Sequence, residues 1–332
     1  MTFPSLHWPL VALASLALAP LALAEVTVKE DGDKVTVLFD GKLFTEYHFK
    51  GARRPYFYPI IGPTGAGMTR NWPMKEGVEG EEMDHPHHMG LWYGHHSVNG
   101  AGFWENTGKP GSKLGQMIHN SFVELKGGSD EGVIHDKNKW ILDDSGELVC
   151  TDERTITIHQ SKEGPMLDFA ITITAGAKEV VFGDDKDGTM AIRVPETIRV
   201  EKMKVKGGKE TPPGEGHILT SEGAKDRDAW GTRAKWCDYF GPVEGKTAGI
   251  AIFDHPSNPR YPTWWHVRPY GLFAANPFGQ SQFDKLPNKE AGAFKIAPGK
   301  SVTFRYRFYF HEGDTAAAKV ADRYADFIST VQ

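Results

Sequence analysis

Three short runs of alternating apolar and polar residues open the chain after residue 25: Val26-Thr27-Val28-Lys29, then residues 34–39, then residues 42–49. Asp31-Gly32 and Asp40-Gly41 separate them. Asp-Gly between alternating runs is a strong hairpin signal, because both turn positions tolerate positive φ. A period of two sends successive side chains to opposite faces of a sheet. The pattern recurs at residues 155–160, 167–174, 190–194, 198–205 and 249–253. It ends at 301–310, where Val302, Phe304, Tyr306, Phe308 and Phe310 share one face. Residues 314–329 alone read as a helix, capped by Asp314 or Thr315, with Val320, Tyr324, Phe327 and Ile328 as its buried stripe. With 37 Gly and 21 Pro punctuating 332 residues, the reading is all-β: a large antiparallel sandwich with one C-terminal helix. Segments 126–130 and 207–215 read as surface loops too short to link domains, so residues 25–332 form one domain.

Residues 9–24, PLVALASLALAPLALA, form an uncharged apolar run ending in Ala22-Leu23-Ala24. That is the apolar region and small-residue cleavage site of a secretory signal, with Glu25 as the first mature residue. The run is shorter than the roughly 20 residues a membrane span requires. The eight residues before it hold no Lys or Arg, a departure from the usual signal. The expectation is a signal peptide over 1–24, a periplasmic or secreted protein, and no membrane span after cleavage. A net charge of −5 without a basic block argues against a nucleic-acid partner. Cys150 and Cys237, the two cysteines, could pair in an oxidising compartment, but nothing around them demands it.

Five of the fourteen histidines fall in twelve residues, within Asp84-His85-Pro86-His87-His88-Met89-Gly90-Leu91-Trp92-Tyr93-Gly94-His95-His96. If the backbone is extended, His85 and His87 point the same way. Asp84 is placed to orient an imidazole, fixing its tautomer and raising its basicity. Two readings follow. His85 and His87, with Glu82 or Asp84, bind a divalent metal; or a His–carboxylate pair drawn from His85, His87 and His88 does acid–base work. His-x-His alone is a weak metal signal.

A second segment repeats the tripeptide: Asp254-His255-Pro256-Ser257-Asn258-Pro259-Arg260-Tyr261-Pro262-Thr263-Trp264-Trp265-His266. It follows the apolar run 250–253, so Asp254 and His255 sit where a strand meets a loop, a common place for working groups. Between the two segments, residues 230–239 bring together Arg233, Trp236 and Asp238. Indole faces stack on the C–H faces of sugars, and neighbouring Asp or Arg binds hydroxyls or a carboxylate, although most aromatics serve the core. Arg53, Arg54, Arg70, Arg193, Arg233, Arg260 and Arg268 would suit an acidic sugar, or be simply solvated. The chain lacks a P-loop, a dinucleotide glycine fingerprint, a Gly-x-Ser-x-Gly elbow and a cysteine zinc pattern, which argues against nucleotide chemistry and serine hydrolysis.

Residues 84–92, Trp236-Cys237-Asp238-Tyr239, the run 254–266 and Gly271-Leu272-Phe273-Ala274-Ala275-Asn276-Pro277-Phe278 resemble the bacterial "PmoA-like" family of unknown function across nearly the whole mature chain. Met89 departs from an expected Arg. A methane oxygenase subunit needs several membrane spans, so that part of the family name is set aside. The resemblance implies a sandwich similar to the galactose-mutarotase supersandwich, and carbohydrate as substrate. On this expectation Asp84, His85, His87, His88, Asp254, His255 and His266 form a two-sided acid–base pocket. Trp92, Arg233, Trp236, Asp238, Asn258, Arg260, Trp264 and Trp265 then hold the sugar. A non-catalytic carbohydrate-binding protein and a metal-dependent hydrolase or lyase are the alternatives.

Overall fold

A computed structural model describes residue 1 and residues 25–201 and 214–330. The expected signal (residues 2–24), the 207–213 part of the second loop and residues 202–205 of the run 198–205 lie outside the described residues. Strands β1 (Val26–Asp31), β2 (Lys34–Phe39), β3 (Lys42–His48), β4 (Tyr56–Ile60) and β5 (Leu91–His95) come first. Four longer strands follow: β6 (Gly115–Lys126), β7 (Glu131–Leu142), β8 (Leu148–His159) and β9 (Met166–Ala175). Then come β10 (Val180–Phe182), β11 (Gly188–Arg193), β12 (His217–Thr220), β13 (Trp236–Val243) and β14 (Lys246–Asp254). The chain closes with β15 (Trp264–Val267), β16 (Leu272–Asn276), β17 (Phe294–Ile296) and β18 (Ser301–Glu312). One helical turn, α1 (Gln280–Phe283), and a terminal helix, α2 (Val320–Thr330), complete the elements.

Two eight-stranded antiparallel sheets face each other. The first runs β1-β2-β3-β4-β5-β11-β16-β15, the second β12-β13-β14-β18-β9-β8-β7-β6, and β10 pairs separately with β17. Alternation explains the inner faces. Val35, Val37, Tyr47, Tyr93, Ile192 and Phe273 from the first sheet meet Ile156, Phe169, Ile250 and Phe308 from the second in one core. The all-β sandwich with a C-terminal helix is therefore the observed architecture.

The outer faces differ. Against the second sheet, Val320, Tyr324 and Phe327 of α2 pack on Phe253, Tyr309, Met166 and Trp236. Ile328, expected in that stripe, is 39% exposed. The helix also starts later than the caps imply: Asp314 accepts hydrogen bonds from the N–H groups of Ala316 and Ala317 in a separate turn. Over the first sheet lie loops. Tyr56, Trp92, Ala191, Leu272 and Ala274 form an apolar patch there, with Trp104 laid across it. Strands β5, β11 and β16 are buried on both faces, so Leu91-Trp92-Tyr93 and Leu272-Phe273-Ala274 lack the period-two signature of a half-exposed strand.

One further expectation changes. Residues 196–198 form a 3₁₀ turn after Pro195, with Ile198 N–H bonded to the Pro195 carbonyl, so 198–201 is not a strand. Cys150 and Cys237 are buried and unpaired. They lie on β8 and β13 with β9, β18 and β14 between them; at about 4.8 Å per strand that is beyond disulfide reach.

Gly90 joins the histidine loop to β5. Its φ is +55°, and a Cβ there would stand 2.0 Å from the Phe57 carbonyl oxygen. A Gly90→Ala chain meets both a left-handed backbone and a backbone clash. Chemical denaturation is expected to show a loss of roughly 2 kcal/mol or more, and a neutral result would contradict this packing.

Candidate functional site on the outer face of the first sheet

The histidine segment is a turn, and not the extended strand that would align His85 with His87. Pro86 fixes its φ at the second turn position, and His88 N–H closes onto the His85 carbonyl at 2.9 Å. His85 itself has φ +39°, an uncommon conformation for a side chain this size and one that clusters at functional positions. The turn brings rings into contact. His85 lies parallel to His88 (4.7 Å between centroids, 5°) and to Tyr270 (5.5 Å, 6°), and His88 stacks on Trp92 at 5.3 Å. His87 meets His88 edge-on and approaches Trp104.

Charge fixes the turn to the sheet. Arg70 and Arg193 have fully enclosed side chains. Arg70 donates to the Asp84 carboxylate and to the backbone carbonyls of Asp84 and His85. Arg193, on β11, reaches Asp84 and Glu196 at 3.4 Å and donates to His88 Nδ1 at 3.3 Å. Arg199 completes the network through Glu196 and Glu82. Asp84 in turn accepts from His85 Nδ1 at 2.5 Å. Burial alone would raise the Asp84 carboxyl, but the His85 hydrogen bond and the two guanidiniums outweigh it and hold it well below the usual range. The His85 side chain is 41% exposed. Nδ1 is committed to Asp84, which leaves Nε2 as the ring nitrogen not engaged by that carboxylate.

His87, His88 and His266 are held neutral. Burial, helped by Arg54 and His85, lowers His87 to about 4. Burial and the neighbouring His87 and Arg193 lower His88 well below its ordinary value. His266, on β15, is brought to about 3 by burial, with Asp187 opposing. His266 pairs with Ala274 of β16, a member of the outer apolar patch, and so lies on the same outer face. Beside them, the Glu105 hydrogen bond raises His96 to about 9.

Asp84, His85, His87, His88, Trp92 and His266 are thus gathered. Asp254 and His255 are not, and the pocket with His255 facing His85 is corrected. β14 belongs to the second sheet, so the second Asp-His-Pro closes the far side of the sandwich. Asp254 accepts from Asn258 Nδ2 (2.7 Å) and from the Thr263 N–H (2.8 Å). His255 bonds Ser257 and packs edge-on against Phe327 of α2. Most of the expected sugar-binding residues also have structural occupations. Asn258 ties down the Arg305 backbone. Arg233 and Arg260 donate to backbone carbonyls. Trp236 belongs to the cluster under α2, and Trp265 to the central core. Asp238 accepts from His311 and Thr315 inside the protein, and Trp264 lies between Arg233 and Asp284. Among the described residues, no group of three or more His, Cys, Asp or Glu side chains is placed to hold a metal ion. The His85 and His87 rings meet edge to face, 5.6 Å apart with 74° between their planes.

Residues not anticipated here are Tyr270, Asp187, Trp104 and Trp230. Tyr270 lies in the β15–β16 turn with Arg268 and Pro269, and no local pattern marks it as a site residue. Arg70 and Arg193 were in view only as members of an arginine set.

The chain belongs to a family of unknown function (DUF6807), whose profile matches residues 34–325. The motif resemblance therefore holds at that level, without the PmoA-like designation. No curated protein matches the chain. Among solved structures, it is similar to a galactose mutarotase-like protein from Clostridium acetobutylicum (11% identity, TM-score 0.35), over 86% of this chain and 95% of that one. It is also similar to a galactose mutarotase related enzyme from Lactobacillus acidophilus (8% identity, TM-score 0.32), over 86% of this chain and 97% of that one. No helix among the described residues is long and apolar enough to cross a membrane.

Burial raises the Asp254 carboxyl to about 7, above the 3.8 of an unperturbed aspartate, against the opposing hydrogen bonds of Asn258 and Thr263. The folded state therefore favours the proton. This contribution to stability is complete below about pH 4 and is lost as pH rises through 7. Between pH 5 and pH 8, urea-melt stability is expected to fall by roughly 1–3 kcal/mol more in the wild-type chain than in Asp254→Asn. Identical pH dependence in the two chains would contradict the assignment.

Proposed function

We propose that this protein is an exported carbohydrate-active enzyme whose acid–base group is His85, oriented by Asp84. The observation that carries the reading is the Asp84–His85 pair itself. One imidazole nitrogen is bound to a carboxylate that two enclosed guanidiniums keep ionised. The other is presented at an exposed edge between aromatic rings. A carboxylate partner fixes the tautomer and supports an imidazole in taking a proton from, or giving one to, a reacting group. The exposed parts of the Tyr270 and Trp230 rings would receive the C–H face of a sugar ring. His87, half-buried and held neutral, would serve as a hydrogen-bonding group beside it. Cleavage, elimination and epimerisation all use such a group, and the sandwich alone does not choose among them.

The reading is tested by screening the mature chain against native and oxidised glycosides with product detection by mass. On a substrate so found, His85→Ala is expected to lower kcat/KM by about 100-fold or more, and Asp84→Asn by about tenfold or more. His255→Ala, across the sandwich, is expected to stay within about threefold of wild type. Binding without any product would replace the enzyme by a carbohydrate-binding protein, and full turnover in a folded His85→Ala chain would remove His85 as the acid–base group.

A further inference from the structure

Of the seven arginines singled out in the sequence, six spend their terminal guanidinium nitrogens on protein acceptors. Arg53 holds Asp143, and Arg54 holds the Trp104 carbonyl and Asn106. Arg70 and Arg193 hold Asp84. Arg233 and Arg260 hold backbone carbonyls. Arg268 differs: among the described residues it donates only through Nε, to His266 Nε2 at 3.1 Å, and has no carboxylate within ion-pair distance. Its two terminal nitrogens carry no hydrogen bond to any of the described residues.

The group is nevertheless held in place. Its backbone N–H bonds the Leu272 carbonyl at 2.7 Å, and its carbonyl accepts from Gly271 N–H and Tyr239 Oη. The guanidinium lies 4.7 Å above the Trp230 ring, half-buried at the end of β15. His266, neutral under burial, accepts the Nε proton and so keeps the fork turned away from itself. The same four-residue turn carries Tyr270, the ring on which His85 stacks. An oriented guanidinium whose terminal fork has no protein partner matches a planar carboxylate in geometry and charge, and preorganisation lowers the ordering cost of binding.

We infer that Arg268 is the anion-binding residue of this site and that the ligand is a sugar bearing a carboxylate, of the uronic or aldonic acid class. The ring would lie by Tyr270 and Trp230, with its carboxylate on the Arg268 fork and its reacting centre toward His85. This deepens the carbohydrate reading above and rests on it for the position of the ring.

The probes are D-glucuronate and D-galacturonate, set against D-glucose and D-galactose, with affinities measured by saturation-transfer NMR on the mature chain. The uronates are expected to bind at least tenfold more tightly than their neutral parents. Arg268→Gln should abolish that preference while changing neutral-sugar binding by less than threefold, and Arg268→Lys should restore part of it. Near-ultraviolet circular dichroism and the melting temperature establish that the variants are folded. Equal binding of neutral and acidic sugars, a preference that survives in Arg268→Gln, or no binding of either uronate would overturn the inference. The two proposals fail separately. Turnover of a neutral glycoside that needs His85 but not Arg268 removes this one alone. Arg268-dependent uronate binding in a chain that never turns a glycoside over removes the catalytic reading alone.

Discussion

Arg70 and Arg193 are enclosed beneath the histidine turn, and a guanidinium taken out of water is tolerable only beside a carboxylate and with its N–H groups satisfied. Asp84 answers both arginines at once, and Glu196 shares the load through Arg193 and Arg199. The arrangement runs in both directions. The arginines keep Asp84 ionised, and Asp84, with the backbone carbonyls of residues 84 and 85 that Arg70 also grips, anchors the turn. Once the turn is fixed, the positions of the His85, His87 and His88 rings follow. Removing Asp84 would leave two buried cations short of a partner, so the positioning of His85 and the integrity of the loop share one cause.

The first sheet owes its working surface to what covers it. Both sheets share a largely apolar inner face, in which Asp136, Asn138, Asp152 and Arg154 satisfy one another, but their outer faces are closed differently. The second receives α2, whose Val320, Tyr324 and Phe327 complete an apolar seal. The first receives loops, and loops bring backbone groups and charged side chains that must be satisfied one by one. Arg54 on the Trp104 carbonyl, Asn106 on the Pro86 carbonyl and Trp72 on the Asp84 carbonyl are the local solutions. A surface built this way is polar, aromatic and rigid together, which a helix packed on a sheet cannot be.

Much of the sandwich was legible in the sequence because β1, β2, β3, β9 and β18 each have one face turned to the core and one elsewhere, and so alternate. Strands β5, β11 and β16 are covered on both sides and read as featureless apolar runs, so the sheet beneath the site was the least visible part of the fold. The site was legible where chemistry was dense, in Asp84-His85-Pro86-His87-His88. Tyr270 and Asp187 reach it only through the register of β11 with β5 and β16, which no local pattern encodes. The arginines were ambiguous for the same reason: their side chains are alike in sequence, while enclosure decides that Arg70 is a structural cation and Arg268 an open one.

The repeated Asp-His-Pro shows how far a motif can be trusted. At residue 84 the aspartate faces two guanidiniums, which hold it ionised. At residue 254 the same side chain ends a core strand with only neutral donors in contact, Asn258 and the Thr263 N–H, and burial drives it toward the protonated form. Each imidazole follows its carboxylate's surroundings: His85 bonds Asp84 and is exposed, whereas His255 turns to Ser257 and the face of α2. The tripeptide specifies a sharp exit from the preceding segment in both places. What it does afterwards depends on whether buried cations lie within reach, and in this fold only the outer face of the first sheet supplies them to an Asp-His-Pro turn.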